Sequence, residues 1–182
     1  LSALIILFIS IVNFNPNYKL RYFQQFTEIL TKKSLNYYLD NSIYGAHFEV
    51  AKKIFKENKT FGVGIKNFRV ESFSDKYDIN HKFNERRANT HPHQVHYEFL
   101  SETGLVGYFS FLLFIIGSFY LAIKTYLKNK NLFQLSAMLY VFVSLIPLLP
   151  TGSFFSTYSS SLFWLNYAIM VGYINNSSKV EN

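Results

Sequence analysis

The chain has 182 residues and a formal net charge of +7; 49% of its residues are hydrophobic, among them 20 Phe and 14 Tyr, and it has no cysteine. This length excludes a large multi-domain assembly, and the apolar, aromatic-rich composition points to a membrane protein with an aqueous portion. Without thiols the redox compartment cannot be read.

Leu1 to Val12 are almost wholly apolar. They are too few to cross a bilayer, which needs about 20 residues, so segment 1–12 reads as the end of a truncated transmembrane helix and the chain as a C-terminal fragment of a larger membrane protein. A signal-peptide core is the rival, but no basic segment precedes it and no small-residue cleavage site follows.

Segment 13–103 is polar, with 14 Lys and Arg against 10 Asp and Glu. It reads as a large loop carrying amphipathic helices. Tyr18 to Leu39 places Leu20, Phe23, Phe26, Leu30 and Leu35 at roughly helical spacing. Ile43 to Asn58 is clearer, with Ile43, Val50, Ile54 and Phe55 on one stripe and Lys52, Lys53, Lys56 and Glu57 facing away. Either helix suits a membrane surface, and packing inside a small helical subdomain is an equal alternative.

The next stretch, Phe61-Gly62-Val63-Gly64-Ile65-Lys66-Asn67-Phe68-Arg69, requires a tight turn or a close backbone approach to a ligand. A dinucleotide fingerprint would need a third Gly where Asn67 stands, and no Walker-type motif exists, so nucleotide binding is disfavoured. Residues 71–90 read as an irregular loop holding Arg86 and Arg87.

Residues 89–108, from Asn89 to Tyr108, bring His91, His93 and His96 together with Glu98, Glu102, Gly104 and Gly107, where the polar segment enters an uncharged run. Pro92 suits a first helical position, which makes His91 the expected cap and puts His93 and Gln94 in the first turn, beside unpaired N–H groups that favour an anion. Three readings of the histidines stay open. A metal site lacks the usual helical zinc spacing of His at i and i+4, solvated loop histidines need no function, and a neutral His93 near cations would serve as a general base. Lys66, Arg69, Arg86 and Arg87 are candidate anion ligands, Arg being suited to bidentate phosphate contacts. Glu98 and Glu102, four apart on one helix face, either orient a histidine or face solvent.

Segment 104–123 holds no charge; from Leu105 it spans about 28 Å at helical rise, enough to cross a bilayer. Lys124, Lys128 and Lys130 mark 124–130 as a cytoplasmic connector. A second span at 131–149, an outer turn at 150–153, a third span at 154–174 and a cytoplasmic tail at 175–182 follow. The expected fold is an all-α, polytopic membrane protein with about three full transmembrane helices, a truncated N-terminal one and a large helical external loop.

The run from His91 through Gly107 resembles the signature of the O-antigen ligase and polymerase family of bacterial envelope proteins, in which a histidine opens a helix continuing through Glu-x-Gly-Leu-x-Gly into a membrane span. The upstream helix from Ala46 and His47 to Phe55, followed by the Phe61 to Phe68 stretch, is similar to the same family's pattern. The resemblance covers about residues 40–125. It implies a multi-spanning bacterial inner-membrane glycosyltransferase with its loop in the periplasm, taking a polyprenyl-diphosphate-linked glycan as donor and a sugar or lipid A-core hydroxyl as acceptor, with no metal or cofactor and no nucleic acid partner. It also implies that His93 activates the acceptor hydroxyl; by their position in the sequence His91, Gln94, His96, Lys66, Arg69, Arg86 and Arg87 are the candidate substrate-binding residues. Gln94 stands where the family usually has Asn, and the Arg often found near Gly45-Ala46-His47 is missing, so Lys66 and Arg69 are the expected diphosphate ligands. Polymerase is preferred to ligase. The rivals are a non-catalytic transporter or binding component for the same glycans and a metal-dependent membrane hydrolase.

Overall fold

The computed structural model describes Ser10, residues 35–147 and residues 149–177. The expected N-terminal helix end, most of the Tyr18 to Leu39 helix and the last residues of the tail lie outside them. Among the described residues the protein is all-helical: α1 (Leu35–Asn41), α2 (Ile43–Glu57), α3 (Phe68–Glu71), α4 (Val95–Asn129), α5 (Leu132–Ser144) and α6 (Thr157–Ser177), with single 3₁₀ turns at Asp75–Tyr77 and Asn84–Arg86.

Two bodies of structure meet along α4. The first is built on α2, which opens at Ser42, whose hydroxyl accepts the Gly45 N–H at 3.0 Å. Its apolar stripe does not lie on a membrane: Ala46, Val50, Ala51 and Ile54 are buried against Phe68, Tyr77 and Ile79, with Val63, Phe83 and Tyr97 closing the edges. The subdomain alternative therefore holds for this helix.

The second body is the hydrophobic layer of α4, α5 and α6. Phe99 and Phe111 stack at 4.2 Å, and Ile115, Val141 and Phe163 complete that core. Further along, Ala122, Ala137, Met138 and Met170 let the helices approach closely. There the buried Gln134 amide donates to the Ala122 and Met170 carbonyls, both at 3.3 Å, bracing three helices with one side chain.

Of the described helices, α4 alone is both long and apolar enough to cross a membrane. Only 11% of its most apolar stretch is buried, so it is not the enclosed core helix of a globular domain. The expected span at 131–149 is a helix of only 13 residues, because Pro147 and Pro150 interrupt the main-chain ladder. The outer turn is correspondingly longer than 150–153, running from Leu145 to Ser156.

α4 is broken once. Gly104 has φ 63 and ψ −165, which interrupts the helical ladder and frees the carbonyls of Ser101 and Glu102 and the N–H groups of Leu105 and Val106. The glycine-rich loop takes all four. Val63 and Gly64 donate to Ser101 and Glu102 at 3.0 and 2.8 Å, while Lys59 and Thr60 accept from Leu105 and Val106 at 2.7 and 3.2 Å. Glu102 extends the clamp, its carboxylate receiving the N–H groups of Lys66 at 2.6 Å and Phe68 at 3.2 Å. The close approach that the two glycines require is thus to the protein's own kinked helix.

Candidate functional site

His91, His93 and His96 lie at the start of α4, where the α2 body, the helix and the α5–α6 connector come together. α4 begins at Val95 rather than Pro92, and its cap is Gln94, whose side-chain oxygen accepts the Tyr97 N–H at 3.0 Å. The cause lies one residue earlier. His93 sits at φ 57, in the left-handed region, so the chain turns sharply there instead of continuing as helix. Its carbonyl accepts the Thr151 N–H at 2.8 Å, tying the turn to the connector. His93 therefore stands outside the first turn of α4.

Around it are His47, His91, Tyr44 and Asn89. The His93 ring stacks on His47 with centroids 5.2 Å apart, lies 4.0 Å from His91 and meets the Tyr44 ring edge-on at 5.5 Å. Asn89 orients it. The Asn89 side-chain oxygen accepts the Thr90 N–H at 2.7 Å, so the amide nitrogen is the group 3.1 Å from His93 Nε2. An amide nitrogen only donates, so a His93 Nε2 without a proton can accept from it. His47 has the opposite polarity: its Nε2 faces the Arg86 carbonyl at 3.1 Å and donates to it, leaving Nδ1 buried and unpartnered.

Burial, reinforced by the neighbouring His93, brings the His47 imidazole down to about 4. His91 is also held down to about 4, first by burial, then by His93. Arg69 disfavours the charged form of His91 and favours that of Glu102, so its positive charge lies within reach of both. Lys66 acts on Glu102 in the same sense.

Of the expected site residues, the structure brings His91 and His93 together; Arg69 acts on His91 and Glu102 through its charge, and Lys66 lies against Glu102. His96 turns away: its Nε2 pairs with the Leu145 carbonyl at 2.8 Å and its Nδ1 with the Tyr108 hydroxyl at 3.1 Å, joining α4 to the end of α5. Gln94 is spent on the cap. Arg87 is buried in an ion pair with Asp78 at 2.6 Å, its charge neutralised inside the loop. Arg86 offers the cluster its main-chain carbonyl, while its side chain is exposed. Glu98 and Glu102 neither touch a histidine nor face solvent; Glu98 takes the Ser153 hydroxyl and the Phe154 N–H, as Glu102 takes the glycine-rich loop.

His47, Asn89 and Tyr44 were not singled out from the sequence. A signal for His47 existed, since it continues the Ile43, Val50, Ile54 stripe of α2 and was bound to be buried. Among the described residues no group of three or more His, Cys, Asp or Glu is arranged to hold a metal ion. No protein family, curated protein or solved structure matches the chain.

Proposed function

We propose that the protein is a glycosyltransferase of the O-antigen polymerase or ligase type, with His93 as its general base. The observation that carries this reading is the His93 imidazole, held at a left-handed turn with its Nε2 against the Asn89 amide, at the start of a membrane-length helix. In the proposed step an acceptor sugar hydroxyl displaces the Asn89 amide from Nε2 and gives up its proton there. Its oxygen bonds to the anomeric carbon of the donor as the bond from that carbon to the diphosphate oxygen breaks, with inversion. The polyprenyl diphosphate leaves as an anion, for which Arg69 and Lys66 supply positive charge.

A lipid-linked donor accounts for a polar site at a membrane boundary. The basic end of α4, Lys124 to Lys130, supports an orientation with the histidines on the periplasmic side of a bacterial inner membrane. The helical layer is proposed to span that membrane, α5 and α6 beside α4. The test is gel profiling of surface glycan from cells carrying the wild-type gene or His93→Ala. Collapse of the ladder to a single repeat unit identifies a polymerase, and loss of all core-attached glycan a ligase. An unchanged ladder removes His93 from catalysis and the proposal with it.

A further inference from the structure

The glycine-rich loop turns Val63 toward the α2 core and holds Phe61 and Ile65 outward. Phe61 is 73% exposed and Ile65 is 59% exposed, although the loop backbone is clamped to the kink of α4. That clamp fixes their level: Lys59 and Thr60 are bonded to Leu105 and Val106, the first residues of the uncharged run. Leu105 and Val106 are themselves exposed, so apolar side chains of α4 and of the loop lie on either side of the clamp. The loop itself, from Asn58 to Val70, holds Lys59, Lys66 and Arg69 and no acidic residue, and the Glu102 carboxylate that it clamps is buried.

We infer that the Phe61–Ile65 loop is a membrane-docking wedge that seats in the headgroup region of an anionic phospholipid bilayer where α4 enters it. The inference rests on the reading of α4 as a membrane span. Apolar side chains ringed by cations suit that layer, where the rings leave water while the ammonium and guanidinium groups stay among lipid phosphates. A second protein is not the favoured occupant, because the patch continues a surface whose solvent is lipid. The wedge would hold the histidine cluster at a fixed height above the bilayer, since Glu102 joins the loop to the same helix that His93 precedes.

The absence of cysteine makes the test direct. Single cysteines introduced as Phe61→Cys, Ile65→Cys, Leu113→Cys and Glu85→Cys carry an environment-sensitive fluorophore, and each chain is reconstituted into vesicles of phosphatidylcholine and phosphatidylglycerol. Labels at 61 and 65 are expected to be quenched by brominated lipid and shielded from aqueous iodide, as at 113, with the reverse at 85. Omitting phosphatidylglycerol should expose the labels at 61 and 65 to iodide and leave 113 unchanged. If 61 and 65 behave like 85 while 113 is lipid-quenched, the wedge is overturned and the span stands. Iodide quenching at 113 overturns the span and the wedge together. Shielding of 61 and 65 from both quenchers means that protein covers the loop, and this also overturns the proposal.

Discussion

At the residue scale, the cluster holds imidazoles that need to be neutral. His47 donates to a main-chain carbonyl through Nε2, and protonating its Nδ1 would place a buried charge against His93. Its folded-state value near 4 lies below the usual 6.5, so between those limits the unfolded chain binds more protons than the folded one. Stability from this group is then fully present above about pH 6.5 and is lost as pH falls toward 4. The limit for one such histidine is on the order of 3 kcal/mol. Glu98, which precedes the uncharged run, opposes this trend, because burial pushes its carboxyl up to about 7 and stabilises the folded state toward acid. The comparison that isolates His47 is therefore wild type against His47→Phe, which keeps an aromatic ring in the stack. Thermal unfolding in detergent, followed by circular dichroism, should show a shallower fall between pH 6.5 and 4 in the variant. Parallel curves would mean that the folded protein accommodates a charged His47.

At the scale of elements, the kink of α4 and the glycine-rich loop form one device made mostly of backbone. A methyl group on Gly104 would lie 2.4 Å from the Thr60 carbonyl oxygen, in a conformation that already disfavours any side chain. Gly104→Ala should therefore cost about 3 kcal/mol or more, from left-handed strain and from breaking the clamp. Gly117→Ala, in the same helix with open space around it, is the control and should cause no loss. Equal melting temperatures for the two variants would show that the clamp does not hold the loop. This device also marks where sequence reading stops. Gly62 and Gly64 stood out as constrained positions and Gly104 did not, because the partners of this loop are main-chain atoms some forty residues away, which no side-chain pattern encodes. The start of α4 was misplaced for a related reason. Pro92 satisfies the statistics of a helix start, yet the positive φ at His93 is set by the Thr151 contact, and that contact exists only after the connector has folded. The amphipathic stripe of α2 and the uncharged run after Leu105 were legible because each is local in sequence, a helical spacing of apolar residues in the first and an unbroken apolar composition in the second.

At the scale of the whole molecule, the site depends on a joint between the α2 body and the helical layer, and α4 carries it. Four residues apart on that helix, two buried carboxylates reach in different directions: Glu102 gathers the glycine-rich loop, and Glu98 gathers the α5–α6 connector through Ser153 and Phe154. Each offsets the cost of burying a carboxylate by accepting two hydrogen bonds. Because the Thr151 N–H holds the His93 carbonyl, loosening the connector should be felt at the histidine cluster with no change in the cluster itself. Glu98→Ala leaves the Phe154 N–H and the Ser153 hydroxyl without their acceptor, at an expected local cost of about 2 kcal/mol. In hydrogen-exchange mass spectrometry this corresponds to roughly thirtyfold faster exchange across the connector peptide containing Thr151 and Phe154. Peptides from the α2 core, which packs on Phe68 and Tyr77 and not on the connector, should keep their protection. Faster exchange in both places would mean that the two bodies unfold as one cooperative unit. Unchanged exchange in the connector would mean that Phe154 and Phe155, packed on Phe99, hold it in place and that the carboxylate contributes little.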